Sequence, residues 1–370
     1  MEQTDRMDCR GTGSDKEASW ESGVRRVVPY TPGEQPRRAG IIKLNTNECP
    51  YPPSPQVKRL AAEFETDVLR LYPDPEASLL VKSIAAHFGV GEDQVFVGVG
   101  SDDVLAMAFL TFFNTDKPIL FPDITYSFYD VWAGLFGISY ETCPLDQNFH
   151  IRVQDYCGKN GGIVIPNPNA PTGLAESRET MEKIVAANPE SVVIVDEAYV
   201  DFGAESVLPL IGKYDNLLMV RTFSKSRSMA GARIGYALGN PRLIAYLNDV
   251  KYSYNSYTMD RVTIALGKAS ISDDAYFRKT LAKIVETREW TKGRLRELGF
   301  SFPDSSANFI FAAHERVPGR ELFEALKREK VLVRYFPKPR IDNYLRITIG
   351  TRGEMERLIS LLERLVAARG

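Results

Sequence analysis

The sequence predicts an α/β protein in which helices flank a mostly parallel central sheet and a smaller α+β domain follows. Short apolar runs rich in β-branched residues recur up to about residue 220, with amphipathic helical stretches between several of them. Strands that are apolar throughout are typical of a parallel sheet covered on both faces. Beyond about residue 255 the pattern changes to charged helices that alternate with short strands, as in an α+β domain.

The apolar runs give the predicted elements in order. For the sheet we predict strands at Val95–Val99, Ile119–Phe121, Gly162–Ile165, Val192–Val195 and Leu217–Val220, with Ala232–Leu238 as one more, antiparallel strand. Helices are predicted at about 55–70, 102–113, 126–136 and 177–187, where apolar residues recur at helical spacing. The later elements are a helix at Asp273–Leu298, a strand at Asn308–Phe311, a helix at Gly319–Arg328, strands at Val331–Tyr335 and Tyr344–Ile349, and a helix from Arg352 to about Ala368.

These elements divide the chain into four segments. Residues 1–26 are polar and aperiodic, which predicts a disordered tail, and the proline-rich stretch 27–54 predicts an extended N-terminal arm. The large α/β domain then covers 55–260, and the small C-terminal α+β domain covers 261–370.

Composition excludes several classes of protein. The chain has 370 residues and a net charge of −2, without the basic excess of a nucleic-acid or anionic-membrane binder. No apolar run approaches the roughly 18 residues of a membrane-spanning helix, and the polar start lacks the apolar stretch of a signal peptide. Four cysteines without a CxxC pair predict reduced thiols, and three scattered histidines predict no metal site. We therefore expect a cytoplasmic protein that acts on small molecules.

Chemically useful side chains follow the predicted strands, where ligands bind in open α/β sheets. Asp196 follows one buried strand, and Lys225 and Arg233 follow the next. Ser101 and Asp102 open a helix after a glycine, which offers free N–H groups to a phosphate. Taken one at a time, each has an ordinary alternative: a helix cap for Asp196 or Ser101, and a surface position for Lys225.

The order of the motifs is more specific than any one of them. NPNAPTG (167–173), DEAY (196–199), FSK (223–225) and then Arg233 resemble the fold-type I aminotransferases, which use pyridoxal phosphate. LNTNECPYPP (44–53), LYPDP (71–75), SANFIF (306–311) and YLRITIG (344–350) extend the resemblance to the histidinol-phosphate aminotransferase family, from about residue 28 to the end. The resemblance implies that the large domain binds pyridoxal 5'-phosphate.

The resemblance assigns three catalytic residues. Lys225 forms an imine with the cofactor and later moves a proton, Asp196 keeps the pyridine nitrogen protonated, and Tyr199 hydrogen-bonds the phenolic oxygen. Further cofactor contacts are implied for Ser101, Asp102, Thr222, Ser224 and Arg233 at the phosphate, for Tyr126 stacked on the ring, and for Tyr72, which would reach the phosphate of the neighbouring subunit in a homodimer.

One position departs from the family pattern. The family usually has an asparagine directly before Pro-Thr-Gly, where it bonds the phenolic oxygen, and this chain has Ala170. Either Asn169 substitutes after a small shift, or Tyr199 holds that oxygen without help. We include Asn169 among the predicted cofactor contacts.

For the substrate, Arg346 matches the family's anion-binding arginine, and Arg334 supplies a second cation. Tyr30 and Asn47 complete the predicted substrate-binding set. Two guanidinium groups suit a phosphate ester or the distal carboxylate of glutamate. The favoured reaction joins L-histidinol phosphate with 2-oxoglutarate, and the alternatives are an aromatic amino-acid aminotransferase and a threonine-phosphate decarboxylase. A DNA-binding regulator is disfavoured because the stretch before Val27 is too short and polar for a helix-turn-helix.

Overall fold

The computed structural model describes residues 19–31, 33–35 and 40–368. Most of the predicted disordered tail, residues 1–18, lies outside this part of the chain, and Ser19–Gly23 form a 3₁₀ turn. No helix among the described residues is both long and apolar enough to cross a membrane. The first strand, β1 (Ile42–Lys43), belongs to the N-terminal arm.

A seven-stranded sheet forms the centre of the larger part of the molecule. Its strands are β2 (Val95–Gly98), β3 (Ile119–Pro122), β4 (Tyr140–Cys143), β5 (Gly162–Pro166), β6 (Val193–Asp196), β7 (Leu217–Thr222) and β8 (Gly235–Gly239), in the order β2-β8-β7-β6-β5-β3-β4. β8 runs antiparallel to β2 and β7, as predicted, and the other neighbours are parallel. The edge strand β4 was outside the prediction because three of its four residues are exposed, so it has no apolar run.

Helices cover both faces of this sheet. They are α1 (Pro55–Glu63), α2 (Ser78–Phe88), α3 (Ser101–Phe112), α4 (Tyr129–Phe136), α5 (Arg178–Ala187), α6 (Pro241–Tyr254) and α7 (Arg261–Ser272). The apolar side chains of the strands alternate between two core clusters, one shared with α1, α2, α5 and α7 and the other with α3, α4 and α6. Strands buried on both faces therefore produce the continuous apolar runs of the sequence.

The predicted helix at 55–70 is wrong in its second half. The chain leaves the helix at Phe64, where φ is −67° and ψ is 123°, and Thr66–Arg70 form a separate 3₁₀ turn. Threonine, aspartate and valine at 66–68 have weak helix propensity, which accounts for the early end. The helices α2, α6 and α7 were not predicted; glycine and serine interrupt the apolar spacing of α7.

The C-terminal part forms a second α+β layer. Its helices are α8 (Asp274–Glu297), α9 (Gly319–Arg328) and α10 (Arg352–Ala367), and its strands are β9 (Phe300–Ser301), β10 (Phe309–His314), β11 (Val331–Leu332), β12 (Arg334–Tyr335) and β13 (Tyr344–Thr348). An antiparallel sheet has the order β12-β13-β10-β9, and β11 pairs in parallel with β1 of the arm. The predicted strand Val331–Tyr335 is thus two short strands in different sheets.

A buried ion pair anchors the turn that follows β6. The Glu197 carboxylate accepts hydrogen bonds from Arg221 Nε at 2.9 Å, from the Ser206 hydroxyl at 2.8 Å and from the Val207 backbone N–H at 2.6 Å. Arg221 also contacts Asp201 at 3.3 Å. Glu197 and Arg221 are both buried, so each charge depends on the other to offset the loss of water.

We expect Glu197→Gln to lower the free energy of unfolding by about 3 kcal/mol, because it leaves the buried Arg221 guanidinium without its main counter-charge. Urea unfolding followed by circular dichroism measures this change. The matched control is Glu179→Gln, which removes an exposed carboxylate paired with Lys183 and should leave the unfolding midpoint unchanged. Equal losses in the two variants would contradict the anchoring role of Glu197.

Candidate active site

The strand directions bring several predicted residues to one edge of the large sheet. β2, β5, β6 and β7 run the same way, so their carboxyl ends meet there. β8 runs the other way, so it begins at this edge, two residues after Arg233. Ser101, Asp196 and Lys225 follow or end the other strands, and with Arg233 they line a single cavity.

Asp196 and Lys225 both line this cavity. The Asp196 carboxylate is buried at the end of β6 and accepts hydrogen bonds from the Tyr129 hydroxyl at 2.9 Å and the Ala198 backbone N–H at 3.1 Å. Burial raises the pKa of Asp196 to about 6, against these hydrogen bonds. Lys225 is half-buried, and its Nζ lies 5.8 Å from the centroid of the Tyr199 ring. A desolvated carboxylate of this kind calls for a cation in the cavity.

The amino end of α3 forms a cradle for an anion. Gly100 has φ of +88°, and a Cβ there would lie 2.3 Å from the Arg233 guanidinium. A Cβ on Gly235 would lie 2.3 Å from the backbone of Gly100 and from the Ser101 nitrogen. Glycine is therefore needed at both positions to let β8 and Arg233 approach the free N–H groups of the helix end.

Arg233 is held at this cradle by weak contacts only. Its guanidinium lies 3.4 Å from the Ser224 hydroxyl, 3.3 Å from the Ala230 carbonyl and 3.4 Å from an Asp102 carboxylate oxygen. Thr222, also predicted as a phosphate contact, does not line the cavity. Its buried hydroxyl donates to the Ile234 carbonyl at 3.3 Å and accepts from the Ser224 N–H at 3.0 Å, so it shapes the turn that presents Ser224.

Two tyrosines form walls of the cavity. Tyr126 donates its hydroxyl hydrogen to Asp102 at 2.9 Å, and burial together with that carboxylate raises the pKa of Tyr126 well above its usual value. The Tyr199 ring packs edge-on against Phe309 with centroids 5.1 Å apart, and its oxygen accepts a hydrogen bond from the Asn47 side chain at 2.9 Å. Tyr126 therefore presents the flat face of its ring to a ligand, and Tyr199 presents its hydroxyl.

Asn169 does not reach the cavity, which corrects the predicted cofactor contact. Its amide nitrogen donates to the Ile124 carbonyl at 2.9 Å and to the Thr172 hydroxyl at 3.2 Å, and its amide oxygen accepts from the Thr125 hydroxyl at 3.2 Å. These bonds occupy the amide inside the loop. Ala170 lines the cavity in its place and offers no polar atom from its side chain.

Two arginines line an adjoining part of the cavity, which shares Tyr126, Tyr199 and Lys225 with the part described above. Arg334 and Arg346 are direct partners in the register of β12 and β13, and Tyr30 and Asn47 lie in the same lining. The Arg346 Nε is shielded from water and has no hydrogen-bond partner, and burial lowers the pKa of Arg346. No described carboxylate lies within ion-pair distance of either guanidinium. Like charges placed opposite each other destabilise a sheet, so the pair needs an anion between them.

Tyr72 is not brought to this cavity. Its side chain is 77% exposed and stacks on Tyr257 with centroids 4.8 Å apart. The role predicted for it in a neighbouring subunit stays a prediction.

Tyr129 is a site residue that the sequence did not predict. Its hydroxyl donates a hydrogen bond to Asp196. Its one sequence signal is its place three residues after Tyr126, on the first turn of α4.

The residues that line the cavity fit a ligand with a flat, cationic ring and a phosphate group. The free N–H groups of α3 and Arg233 suit a phosphate at one end, and the buried Asp196 carboxylate suits a protonated ring nitrogen deep in the cavity. Lys225 supplies an amine between these two ends. Pyridoxal phosphate has this combination of groups, so the residues present fit it.

Comparisons with known proteins agree with this geometry. A family model described as aminotransferase class I and II matches residues 39–362. The histidinol-phosphate aminotransferase of Lactococcus lactis subsp. cremoris (strain MG1363) is 50% identical over 345 residues, covering 93% of this chain and 97% of the relative. Histidinol-phosphate aminotransferase 1 of Methylococcus capsulatus is 51% identical over 350 residues, covering 95% of this chain and 98% of the relative.

Solved structures show the same fold. Histidinol-phosphate aminotransferase from Sinorhizobium meliloti, in complex with pyridoxal-5'-phosphate, has a TM-score of 0.81 at 22% identity and covers 89% of this chain and 92% of its own. The enzyme of that name from Clostridium acetobutylicum has a TM-score of 0.82 at 22% identity, covering 89% and 100%. Given relatives that are about 50% identical across nearly its whole length, this chain belongs to the histidinol-phosphate aminotransferase family of the class I and II aminotransferases.

Proposed function

We propose that the protein transfers an amino group between L-histidinol phosphate and 2-oxoglutarate, with pyridoxal 5'-phosphate as cofactor. The observation that carries this proposal is the pair of arginines at the outer end of the cavity. Arg334 and Arg346 lie opposite each other without a described carboxylate, and the cavity also holds Lys225. Each guanidinium bonds a backbone carbonyl, Arg346 that of Asn45 at 3.0 Å and Arg334 that of Thr31 at 3.4 Å, but neither has a described carboxylate partner. Two such cations beside the Lys225 amine suit an anionic amine as substrate. The names of the relatives support the same substrate and a place in histidine biosynthesis.

The deeper cavity would hold the cofactor. The backbone N–H groups at Ser101 and Asp102, the Ser224 hydroxyl and Arg233 would bind its phosphate, and Tyr126 would lie against its ring. When bound, pyridoxal phosphate supplies an electron-accepting ring that stabilises the charge left after a proton leaves the substrate's α-carbon.

The protein's own groups then manage protons and position. Lys225 Nζ would act as the general base that takes the proton from the substrate α-carbon, and it would later return a proton within the cavity. The Asp196 carboxylate would keep a proton on the ring nitrogen, and the Tyr129 hydroxyl holds that carboxylate in place. The Tyr199 hydroxyl would donate a hydrogen bond to the phenolic oxygen.

The arginine end would select the substrates. The phosphate of L-histidinol phosphate and the distal carboxylate of glutamate or 2-oxoglutarate both match a planar guanidinium. Tyr30 and Asn47 line the same end and would flank the substrate, with Tyr30 stacked on Phe128 at 4.2 Å between centroids. The same end can therefore serve both half-reactions in turn.

We also propose a homodimer and a cytoplasmic location. Leu71, Tyr72 and Tyr257 form an exposed cluster, in which the Arg261 side chain bonds the carbonyls of Leu71 and Tyr72. An exposed apolar cluster is a common site of subunit contact, and Tyr72 would reach the cofactor phosphate of the partner from there. Cys49, Cys143 and Cys157 are free, which supports a reducing compartment.

The test of the function is the amino-donor half-reaction. We expect L-histidinol phosphate to convert the cofactor of the loaded enzyme to its amino form within seconds, because its phosphate engages the arginine pair. Stopped-flow absorbance with separate mixing of L-histidinol phosphate, L-phenylalanine and threonine phosphate measures the rates, and product analysis identifies which bond breaks.

Lys225→Ala is the control for chemistry and should abolish conversion, whereas Lys213→Ala, which removes an exposed lysine paired with Glu182, should not. Equal conversion by phenylalanine would make the protein an aromatic aminotransferase. Release of carbon dioxide from threonine phosphate would make it a decarboxylase.

Arg334→Gln should lower the activity with a phosphorylated substrate far more than the activity with a substrate that has no phosphate. We expect kcat/KM for L-histidinol phosphate to fall by about 30- to 900-fold, equivalent to roughly 2–4 kcal/mol for the loss of one partner of a charge pair that the bound substrate would shield from water. The value for L-phenylalanine should change by less than about threefold. Steady-state kinetics with both substrates measure the difference, and Arg320→Gln, which removes an exposed arginine paired with Glu324, is the matched control. A uniform loss for both substrates would exclude a phosphate-specific role.

The pH dependence of stability should report the buried carboxyl of Asp196. Its pKa is raised from 3.8 to about 6 in the folded protein, so its stabilising contribution is present below about pH 4 and is lost as pH rises through 6. Asparagine does not titrate at this position. In the cofactor-free protein, the free energy of unfolding of Asp196→Asn relative to wild type should therefore rise by about 1–3 kcal/mol between pH 4 and pH 7.5.

Urea unfolding at both pH values measures this difference. The effect of the neighbouring Glu197 on the pH dependence cancels, because both proteins contain it. With cofactor bound, the cationic ring nitrogen compensates the Asp196 charge, so wild type should become the more stable protein at pH 7.5. A difference that does not change with pH would contradict the burial of an uncompensated charge.

A further inference from the structure

We propose that Thr348 and Asn47 set the direction of the Tyr199 hydroxyl, so that its hydrogen points into the cavity. Asn47 is then a positioning residue that acts through Tyr199, and Thr348 acts through Asn47. This inference rests on the proposed use of the cofactor, and it adds the residues that make Tyr199 a donor to the phenolic oxygen.

The first step concerns the Thr348 hydroxyl at the end of β13. Its oxygen accepts a hydrogen bond from the Asn47 backbone N–H at 3.0 Å, and it lies 3.0 Å from the Asn47 side-chain oxygen. Thr348 is 2% exposed, and Asn47 is the one hydrogen-bond partner of its hydroxyl among the described residues. A buried hydroxyl without an acceptor is costly, so Thr348 donates its hydrogen to Asn47 Oδ1.

The second step fixes the Asn47 amide. Because Oδ1 accepts from Thr348, the other end of the amide, Nδ2, must face Tyr199. Nδ2 lies 2.9 Å from the Tyr199 oxygen and carries only hydrogens to donate. The flipped amide would place Nδ2 against the Thr348 oxygen and would leave the Thr348 hydrogen without an acceptor. Thr348 therefore decides which way the amide points.

The third step concerns Tyr199 itself. Its oxygen already accepts from Asn47, so its own hydrogen points away from Asn47 and towards the cavity that it lines with Lys225 and Ala170. With alanine at 170 and the Asn169 amide occupied elsewhere, neither neighbouring side chain of that loop can donate there. Tyr199 is then the side-chain hydroxyl on which the phenolic oxygen depends.

Asn47 cannot easily turn to another arrangement. It is 1% exposed, has a φ of +56° that asparagine tolerates better than most residues, and accepts a hydrogen bond on its backbone carbonyl from Asn308 at 3.0 Å. The charged and titratable groups that face Tyr199 are Lys225, Arg346, Tyr126 and Tyr129. All four remain in every variant below, so differences between variants report the hydrogen-bond direction.

The experiment measures the pH midpoint of the absorbance change of the bound cofactor in resting, loaded enzyme without substrate. A hydrogen bond donated to the ionised phenolic oxygen favours its ionised form, so loss of the donor raises the midpoint. Tyr199→Phe should raise it by about one pH unit, the size of one net hydrogen bond. Asn47→Asp should raise it at least as much, because a carboxylate accepts the Tyr199 hydrogen and draws it out of the cavity. Asn47→Ala should raise it by less than about half a unit.

Thr348 provides a test without a change of charge. Thr348→Val removes the donor that orients the amide and should raise the midpoint by about half a unit, whereas Thr348→Ser keeps the hydroxyl and should leave the midpoint as in wild type. Circular dichroism confirms folding, and Asn114→Asp, an exposed change at the far end of α3, serves as the control for an added charge.

The decisive comparison uses the Tyr199→Phe background. If Asn47 and Thr348 act through Tyr199, the shift from Thr348→Val disappears there and that from Asn47→Asp falls to a small charge effect. Undiminished shifts on that background, or equal shifts from Thr348→Val and Thr348→Ser, would overturn the proposal. If the predicted shifts appear but none of the three amino donors is converted, the hydrogen-bond chain is supported and the proposed function is wrong. If L-histidinol phosphate is converted but the predicted shifts are absent, the proposed function is supported and the hydrogen-bond chain is wrong.

Discussion

The constraint on which the site depends is the removal of charge from water at one edge of the sheet. Parallel strands bring their carboxyl ends together there, and Asp196 ends one of them deep enough that burial raises its pKa. Arg346 is similarly desolvated at the opposite end of the cavity. Each charge lacks a full set of protein partners, so a bound cationic group near Asp196 and a bound anionic group near Arg346 would complete both.

Much of this could be predicted from sequence because the strands are buried on both faces. Continuous apolar runs mark β5, β6 and β7, and the residue that follows such a run must lie at the ligand-binding edge. The location of Asp196 and Lys225 at that edge could be predicted on that ground, whereas their roles are implied only by the family resemblance. The β4 edge strand was not, since exposed residues carry no apolar signal. Tyr129 was missed because its contact with Asp196 joins residues 67 positions apart, and no local pattern records a hydrogen bond of that kind.

Residue type alone was also an unreliable guide to where a side chain points. Asn169 and Thr222 both follow or end the expected strands, and both belong to types that bind cofactors well. In the structure each satisfies nearby backbone or loop groups, because buried polar atoms take the partners closest to them. Sequence position thus predicted which segments line the cavity, whereas the hydrogen-bond network decides which side chains are free to face it.

The strand β13 connects the Arg346 guanidinium with the hydrogen bonds that hold the Tyr199 hydroxyl. Arg346 and Thr348 are two residues apart, so their side chains lie on the same face of the strand. One reaches the outer end of the cavity, and the other bonds Asn47, which in turn holds Tyr199. The same strand pairs with β10, whose Phe309 packs against the Tyr199 ring. A displacement of β13 would therefore move the Arg346 guanidinium and, through Thr348 and Asn47, the Tyr199 hydroxyl together, which keeps the two ends of the cavity in register.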